Sequence, residues 1–172
     1  MAASPADAAV TSAPRATDGG LRSTGVTIPE PFRDLVDHPP VAALTTLMPD
    51  GSPQTSVVWC DLEGDVIRVN TMHGFQKERN IRRDPRVTLL CFDPRRPLRY
   101  LELRGRVIDM TTDGALEHLD RLASTSVGRA VSYFGDVIPG HFSDTETPVL
   151  CRIRPTHVLA LDATEGRSRD GR

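Results

Sequence analysis

Short apolar runs with a period of two, separated by tight turns, dominate the middle of this sequence and restrict it to an antiparallel β-fold. Residues 41–48 form the first run, which is rich in Thr. It is closed by Asp50-Gly51, a pair that is typical of a hairpin turn. Residues 54–60 and 66–70 form the next two runs, with a polar turn between them. The pattern therefore predicts three strands in meander order.

The pattern then changes to a helix followed by two further strands. Residues 75–83 are good helix formers, and Asp84-Pro85 ends this helix because the residue before a proline is pushed out of helical dihedrals. Residues 86–92 are again β-branched and apolar, and residues 99–110 form a longer strand. These runs predict strands four and five.

A second helix and a last strand complete the series. Asp113 is a candidate N-cap for this helix, since its carboxylate can accept from the free N–H groups of the first turn. The helix has one apolar stripe, formed by Leu116, Leu119, Leu122 and Ala123. Residues 126–147 predict a loop with one short helix. Residues 149–161 form the last strand, in which Pro155 indicates an edge or a bulge.

Six strands with short antiparallel connections and two intervening helices favour a mainly β fold, a small barrel with helices on its rim. The folded unit covers residues 28–161. Residues 1–27 are rich in Ala, Ser, Thr, Pro and Gly, and are expected to be a disordered tail because they bury too little apolar surface. Residues 162–172 are expected to form a second polar tail.

Charge and cysteine usage exclude several classes of protein. The chain carries 21 basic and 23 acidic residues, whereas nucleic-acid and polybasic membrane binders need a positive excess. No apolar run approaches the ~18 residues of a membrane span. The three cysteines form no CxxC pair, which fits a reducing cytoplasm, and the five histidines lack metal-ligand spacing. We therefore expect a cytoplasmic protein without a metal site.

The most informative stretch begins where the third strand ends, at Asn70-Thr71. A corner containing Gly74 follows and leads into the basic helix, whose early turns hold Lys77, the only lysine of the chain. Free N–H groups at a helix start attract anions, and Gly74 permits close backbone approach. These features suit a phosphate site beside His73. The alternative is that the basic residues coat a solvated helix face.

These residues resemble the pyridoxamine-phosphate-oxidase-like split barrels. The resemblance rests on residues 43–59, on Arg68-Val69-Asn70-Thr71, on residues 76–87 and on residues 99–105. In detail the chain looks like the actinobacterial branch that uses the deazaflavin coenzyme F420. The resemblance implies an F420-dependent oxidoreductase that acts on a small molecule. It also implies a homodimer of split barrels with two cofactor sites at the subunit interface.

The resemblance also implies which side chains bind the cofactor. Lys77 of the basic helix is expected to contact the phosphate, and the second strand is expected to lie along the ring system. The implied cofactor-binding residues are Lys77, Arg79, Asn80, Gln76, Arg83, Asn70, Thr71, Ser56 and Val57.

Two alternatives to this function stay open. Flavin mononucleotide (FMN) has one terminal phosphate that two or three donors satisfy, and it would make the protein an FMN-dependent oxidase or reductase. F420 carries a phosphodiester and a glutamate tail, which asks for a longer basic track. Arg79 and Arg82 do not share a helix face with Lys77. The third possibility is a protein that binds F420 or a flavin without catalysis.

The remaining candidates concern the substrate side. Tyr133 and His141 are weak candidates for a proton donor, a role that solvent can also fill. Tyr133 and the nearby Phe134 and Phe142 form a substrate lid or pack beneath a long loop. Trp59 is a core or interface residue, or lies over the cofactor ring. Vitamin B6 oxidation is not expected, because the last strand lacks the Arg-x-His element of authentic pyridoxamine-phosphate oxidases.

Overall fold

The first three strands after residue 40 form the predicted meander. The structure is a computed structural model, and it describes residues 9–12, 26–37 and 41–163. Strands β2 (Val41–Leu47), β3 (Pro53–Glu63) and β4 (Val66–Met72) pair in antiparallel order. In the β2–β3 turn, the Asp50 carboxylate accepts from the Ser52 N–H at 2.9 Å, and Gly51 has a φ of 85°. This left-handed residue is the reason that the Asp-Gly pair predicts the turn.

The rest of the chain follows the predicted order of strands and helices. Helix α2 spans Gln76–Arg83, β5 spans Arg86–Asp93 and β6 spans Arg96–Thr111. Helix α3 (Ala115–Val127) and β7 (Pro148–Asp162) complete the series. Between them lie a wide turn over Tyr133–Val137 and a 3₁₀ helix over Gly140–Asp144.

Six of the strands close into an antiparallel barrel, which confirms the predicted fold class. The hydrogen-bonded order is β7-β4-β3-β2-β5-β6, and β6 pairs with β7 to close the ring. The pairing of β6 with β7 skips Thr156, immediately after Pro155, so the predicted irregularity in the last strand is a bulge. Opposite this bulge the backbone of Gly105 approaches β7 so closely that a Cβ would lie 2.5 Å from the carbonyl oxygen of Arg154.

Inward-facing side chains of alternate strand positions fill the barrel. The largest of them include Leu44, Ile67, Leu89, Leu101, Leu103 and Ile153. The three cysteines are buried in the same core, with the sulfur atoms of Cys60 and Cys91 3.8 Å apart. At the outer edge the Arg99 guanidinium ties β6 to the short helix α1 (Asp34–Asp37), because it donates to the Asp34 carboxylate at 2.6 and 2.8 Å.

Three details differ from the sequence predictions. Ala9–Ser12 form a strand, β1, that pairs with the end of β7 and that the sequence analysis did not predict. The other residues of the expected tails lie outside the described residues, apart from a few that join the barrel. The prediction that Asp113 caps α3 is wrong, because Gly114 with a φ of 67° occupies that position. Leu116 is 41% exposed, and Ala115 and His118 take its place on the buried face.

Candidate functional site

A cavity of about 400 Å³ opens on one side of the barrel, between the sheet, α3 and the wide turn before β7. Its volume is typical of small-molecule sites, and its walls are mainly apolar with a few polar groups, as such sites require. The residues that line it are Val41, Val57, Val58, Trp59, Asn70, Thr71, Met72, Phe75, Lys77, Leu119, Leu122, Tyr133, Val137 and Ile138.

Lys77 supplies the positive charge of the cavity. It is the second residue of α2, and the turn before that helix contains Gly74 with a φ of 79°. Burial lowers the pKa of the Lys77 ammonium from its ordinary value. No carboxylate within the described ranges forms an ion pair with it, and its Nζ lies 5.8 Å from the centre of the Phe75 ring. The cavity thus holds a cation that has lost water without gaining an anionic partner.

Thr71 adds an unsatisfied hydroxyl. The residue is 4% exposed, and its Oγ1 has no hydrogen-bond partner among the described residues. A buried hydroxyl without a partner is unfavourable, which indicates that another molecule completes its hydrogen bonding. The Ser56 hydroxyl on β3 is also buried without such a partner, although Ser56 does not line the cavity.

Asn70 forms the polar wall next to Thr71, and a buried network holds it. Its Nδ2 donates to the Ala115 carbonyl at 2.9 Å, and its Oδ1 is hydrogen-bonded to Nδ1 of His118. Nε2 of His118 lies 3.0 Å from an oxygen of Asp61. Arg68 donates to both oxygens of that carboxylate, at 2.8 and 2.7 Å.

Asp61 is ionised in this network. Its burial opposes ionisation, but hydrogen bonds and charges from His118 and Arg68 outweigh that effect and hold its pKa far below the usual range. Sequence reasoning missed both Asp61 and His118, which are 57 positions apart. The sequence contained one signal for this network: His118 lies on the apolar face of α3, and a histidine in such a position usually has buried hydrogen-bond partners.

Aromatic side chains form a further part of the cavity wall. Trp59 and Tyr133 pack edge to face with ring centres 6.2 Å apart, and Tyr133 packs in the same way on Phe134 at 5.2 Å. Burial, followed by the negative charge of Glu146, raises the pKa of the Tyr133 phenol. The phenol therefore keeps its proton at neutral pH and holds it more tightly than an exposed tyrosine does.

The mouth of the cavity is unusually apolar. Val57 is 70% exposed although it lies in the middle of β3, and three further apolar residues at the mouth, Val41, Phe75 and Val137, are also exposed. Such side chains favour contact with an apolar surface over contact with water.

The family of the chain follows from a comparison of its sequence with protein-family models. The model for pyridoxamine 5'-phosphate oxidase matches residues 28–170.

The chain belongs to the pyridoxamine 5'-phosphate oxidase family. Among solved structures, an F420 reductase is similar to this family member, with 31% identity and a TM-score of 0.64. The match covers 76% of this chain and 98% of the reductase. No curated protein matches the chain.

Two more distant structures share the fold of this family member. A conserved hypothetical protein from Mycobacterium tuberculosis is 24% identical, with a TM-score of 0.58, and the match covers 80% of this chain and 86% of that one. General Stress Protein 26 from Bacillus anthracis is 19% identical, with a TM-score of 0.56 and coverage of 77% and 92%.

Four of the cofactor-binding residues that the resemblance implies lie together at the cavity of this family member: Lys77, Asn70, Thr71 and Val57. Tyr133 joins them, whereas the exposed His141 stacks on Phe142 outside the cavity. His141 is therefore not brought to the site of the single chain.

The other implied residues of α2 turn away from the cavity. Asn80 is 1% exposed, donates to Thr46 Oγ1 at 3.0 Å and accepts from Gln76 Nε2 at 2.8 Å. Arg79 binds the Gly74 carbonyl and the Gln76 side chain, and Arg83 binds the Leu47 carbonyl. Only Lys77 among these basic residues lines the cavity, because successive residues of a helix point in different directions.

The described part of the chain has neither a membrane-spanning helix nor a cluster of metal-ligating side chains. Residues 9–12, 26–37 and 41–163 contain no helix that is long and apolar enough to cross a membrane. In the same ranges, no three His, Cys, Asp or Glu side chains come together as a metal site.

Proposed function

We propose that this protein is an F420-dependent oxidoreductase that binds its deazaflavin in the cavity at Lys77. The observation that carries the proposal is the half-buried ammonium of Lys77, which has no anionic partner in the described chain and faces a cavity with aromatic walls. The similarity to an F420 reductase at 31% identity supports the choice of cofactor.

The side chains of the cavity fit such a cofactor. An anionic phosphate would restore a partner to Lys77, and a flat ring would pack against Trp59 and the apolar side chains. The unsatisfied hydroxyl of Thr71 would gain a hydrogen-bond partner. Each of these three features is unfavourable or incomplete in the free chain, and one ligand with a phosphate and a polar ring would satisfy all of them.

When bound at Lys77, reduced F420 would supply a hydride from C5 of its ring to an electron-poor small molecule. The protein itself then has to bind and orient the cofactor and the small molecule, and to exclude water from them. The apolar side chains of the cavity would exclude water, and the Tyr133 phenol, which lines the cavity, would serve as the proton donor. No side chain of the cavity needs to act as a nucleophile.

We also propose that the protein works as a homodimer, with a second copy covering the mouth of the cavity. The exposed apolar residues around that mouth, with Val57 at 70%, support a protein surface there. Sedimentation of the full-length chain tests this: a single monomeric species at micromolar concentration contradicts the dimer.

FMN is a second candidate, and one observation favours it. Lys77 is the only basic residue of α2 that lines the cavity, since Arg79, Arg82 and Arg83 bind other protein groups. A single ammonium suits one terminal phosphate better than the longer anionic tail of F420. In a dimer, a second copy can add further cations.

A parallel titration separates the candidates. The full-length protein is titrated with F420 and with FMN by isothermal calorimetry under identical conditions. Tighter binding of F420 supports the proposal, and tighter binding of FMN supports the alternative. Binding of F420 without turnover of any member of an enone, lactone and quinone panel indicates a carrier. Binding of neither contradicts both cofactor assignments.

A further inference from the structure

A buried histidine stands directly behind the polar wall of the cavity, and the proposed reaction does not use it. His118 is 2% exposed, and its two ring nitrogens contact Asn70 on one side and Asp61 on the other. Asn70 lines the cavity, so this chain of contacts ends at the surface that a ligand would touch.

The orientation of the Asn70 amide follows from its other partner. The carbonyl oxygen of Ala115 can only accept a hydrogen bond, so the group that faces it at 2.9 Å has to be the amide nitrogen of Asn70. The amide oxygen of Asn70 therefore faces His118. Exchanging the two atoms would place two acceptors against each other.

The protonation of His118 follows in turn. The amide oxygen of Asn70 can only accept, so Nδ1 of His118 has to carry a proton. Nε2 faces Asp61, which is a carboxylate because Arg68 donates to both of its oxygens, at 2.8 and 2.7 Å. A carboxylate also only accepts, so Nε2 carries a proton as well. His118 is thus an imidazolium.

We propose that His118 is a positioning residue, held as an imidazolium by Asp61, which fixes Asn70 so that the asparagine offers a hydrogen-bond donor to the cavity. One N–H of the Asn70 amide is used by Ala115, its oxygen is used by His118, and one N–H remains. The site then selects a ligand with an acceptor, such as a ring carbonyl, at this position. The ligand part of this inference rests on the proposed function.

The charges around His118 come from three elements. Asp61 is on β3, and Arg68 on β4 reaches His118 through that carboxylate. Arg121 of α3 lies 3.4 Å from the same carboxylate. Glu63 and Arg152 stand one contact further away, since Glu63 pairs with Arg68 at 2.6 Å and with Arg152 at 3.5 Å. Asp61 is therefore the carboxylate that directly balances the imidazolium.

The first test needs no ligand. Long-range ¹H–¹⁵N spectra of the full-length protein, labelled on histidine, are recorded at pH 7.5, with His73 and His141 as exposed references. Both nitrogens of His118 are expected to be protonated. In the Asp61→Asn variant the balancing charge is gone and the new amide can turn its NH₂ group towards Nε2, so Nε2 is expected to lose its proton. A neutral His118 in the unmodified protein overturns the inference.

The second test measures what the network does for binding. His118→Phe keeps an aromatic ring at this position but donates nothing to Asn70, and His157→Phe on β7 is the matched control. FMN and F420 are titrated in parallel against each folded variant. We expect the dissociation constant to rise about tenfold in His118→Phe, corresponding to one hydrogen bond, and to stay unchanged in the control. An unchanged constant in His118→Phe overturns the positioning role.

The two proposals fail in different ways. If neither titrant binds the unmodified protein, the proposed function is wrong, and the histidine spectra still decide the state of His118. If a titrant binds but His118 carries a single proton, the cofactor site stands and the imidazolium held by Asp61 is wrong.

Discussion

Replacing Lys77 by methionine separates ligand binding from folding in one variant. Methionine keeps the length and apolar character of the side chain, so the packing beside Phe75 is retained. Only the charge is removed. Because the ammonium has no anionic partner among the described side chains, its loss leaves no buried carboxylate unpaired.

The magnitude follows from the charge and its surroundings. Two unit charges 4 Å apart attract each other by roughly 4 kcal/mol at an effective dielectric constant near 20. Part of this is offset by desolvation of the phosphate, and hydrogen bonds to charged groups are worth about 1.5–3 kcal/mol net. Since 1.4 kcal/mol is a factor of ten, we expect Lys77→Met to weaken binding of FMN or F420 by about 10- to 150-fold.

The folding stability of Lys77→Met should not fall, in contrast to its affinity for the ligand. Burial lowers the pKa of Lys77 in the folded chain, so the unfolded chain binds a proton more tightly and the ammonium opposes folding at neutral pH. This effect disappears as pH rises through the lowered and then the ordinary lysine pKa. Lys77→Met should therefore have a free energy of unfolding at pH 7 that is equal to or higher than that of the unmodified chain.

The assay combines calorimetric titration with urea unfolding of the same preparations. Arg95→Met is the control, because it removes the same charge from an exposed position in the β5–β6 turn. An unchanged dissociation constant in Lys77→Met would refute the assignment of the cavity as an anion site. A large loss of stability would refute the reasoning about its unpaired charge.

Three further predictions concern stability and acid sensitivity. Gly105→Ala should lower the free energy of unfolding by about 1–3 kcal/mol, because its Cβ would lie 2.5 Å from the Arg154 carbonyl oxygen. An unchanged urea midpoint would show that the backbone of β7 can move away without cost. Asn80→Ala should cost about 1–3 kcal/mol while FMN and F420 affinity stays constant, since its amide is bound to Thr46 and Gln76; a selective loss of affinity would instead assign Asn80 to the cofactor. Asp61 stabilises the fold above the ordinary carboxyl pKa, and this stability is lost as the pH falls towards its lowered pKa. In urea unfolding at a series of pH values, the unmodified chain should therefore lose stability more steeply than Asp61→Asn below about pH 4. Parallel curves for the two proteins would contradict this.

Local patterns were enough for the sequence to predict the barrel and the order of its elements. Hairpin and stop signals such as Asp50-Gly51 and Asp84-Pro85 act within a few residues, and Pro155 correctly indicated the irregularity of β7. The N-cap of α3 was predicted wrongly. The cap position has left-handed backbone geometry, which favours glycine, and Gly114 occupies it instead of Asp113.

The site was predictable only in part, for a physical reason. The sequence pointed to Lys77 because a unique lysine beside a glycine corner is visible locally. Which neighbours of Lys77 share the cavity depends on how α2 packs on β2, and this packing buried Asn80. The contact between Asp61 and His118 joins β3 to α3, and although the histidine on the apolar face of α3 indicates a buried partner, no local pattern identifies that partner as Asp61.

The chain has a single tryptophan, and this residue lies in the wall of the cavity. All indole emission of the protein therefore originates within a few ångströms of the place where a ligand would sit, with the Tyr133 ring 6.2 Å away. Flavins and deazaflavins absorb where indole emits, so their arrival should quench this light by resonance transfer. The molecule thus carries a built-in optical reporter of occupancy, which can be read without a label and in every variant that leaves Trp59 in place.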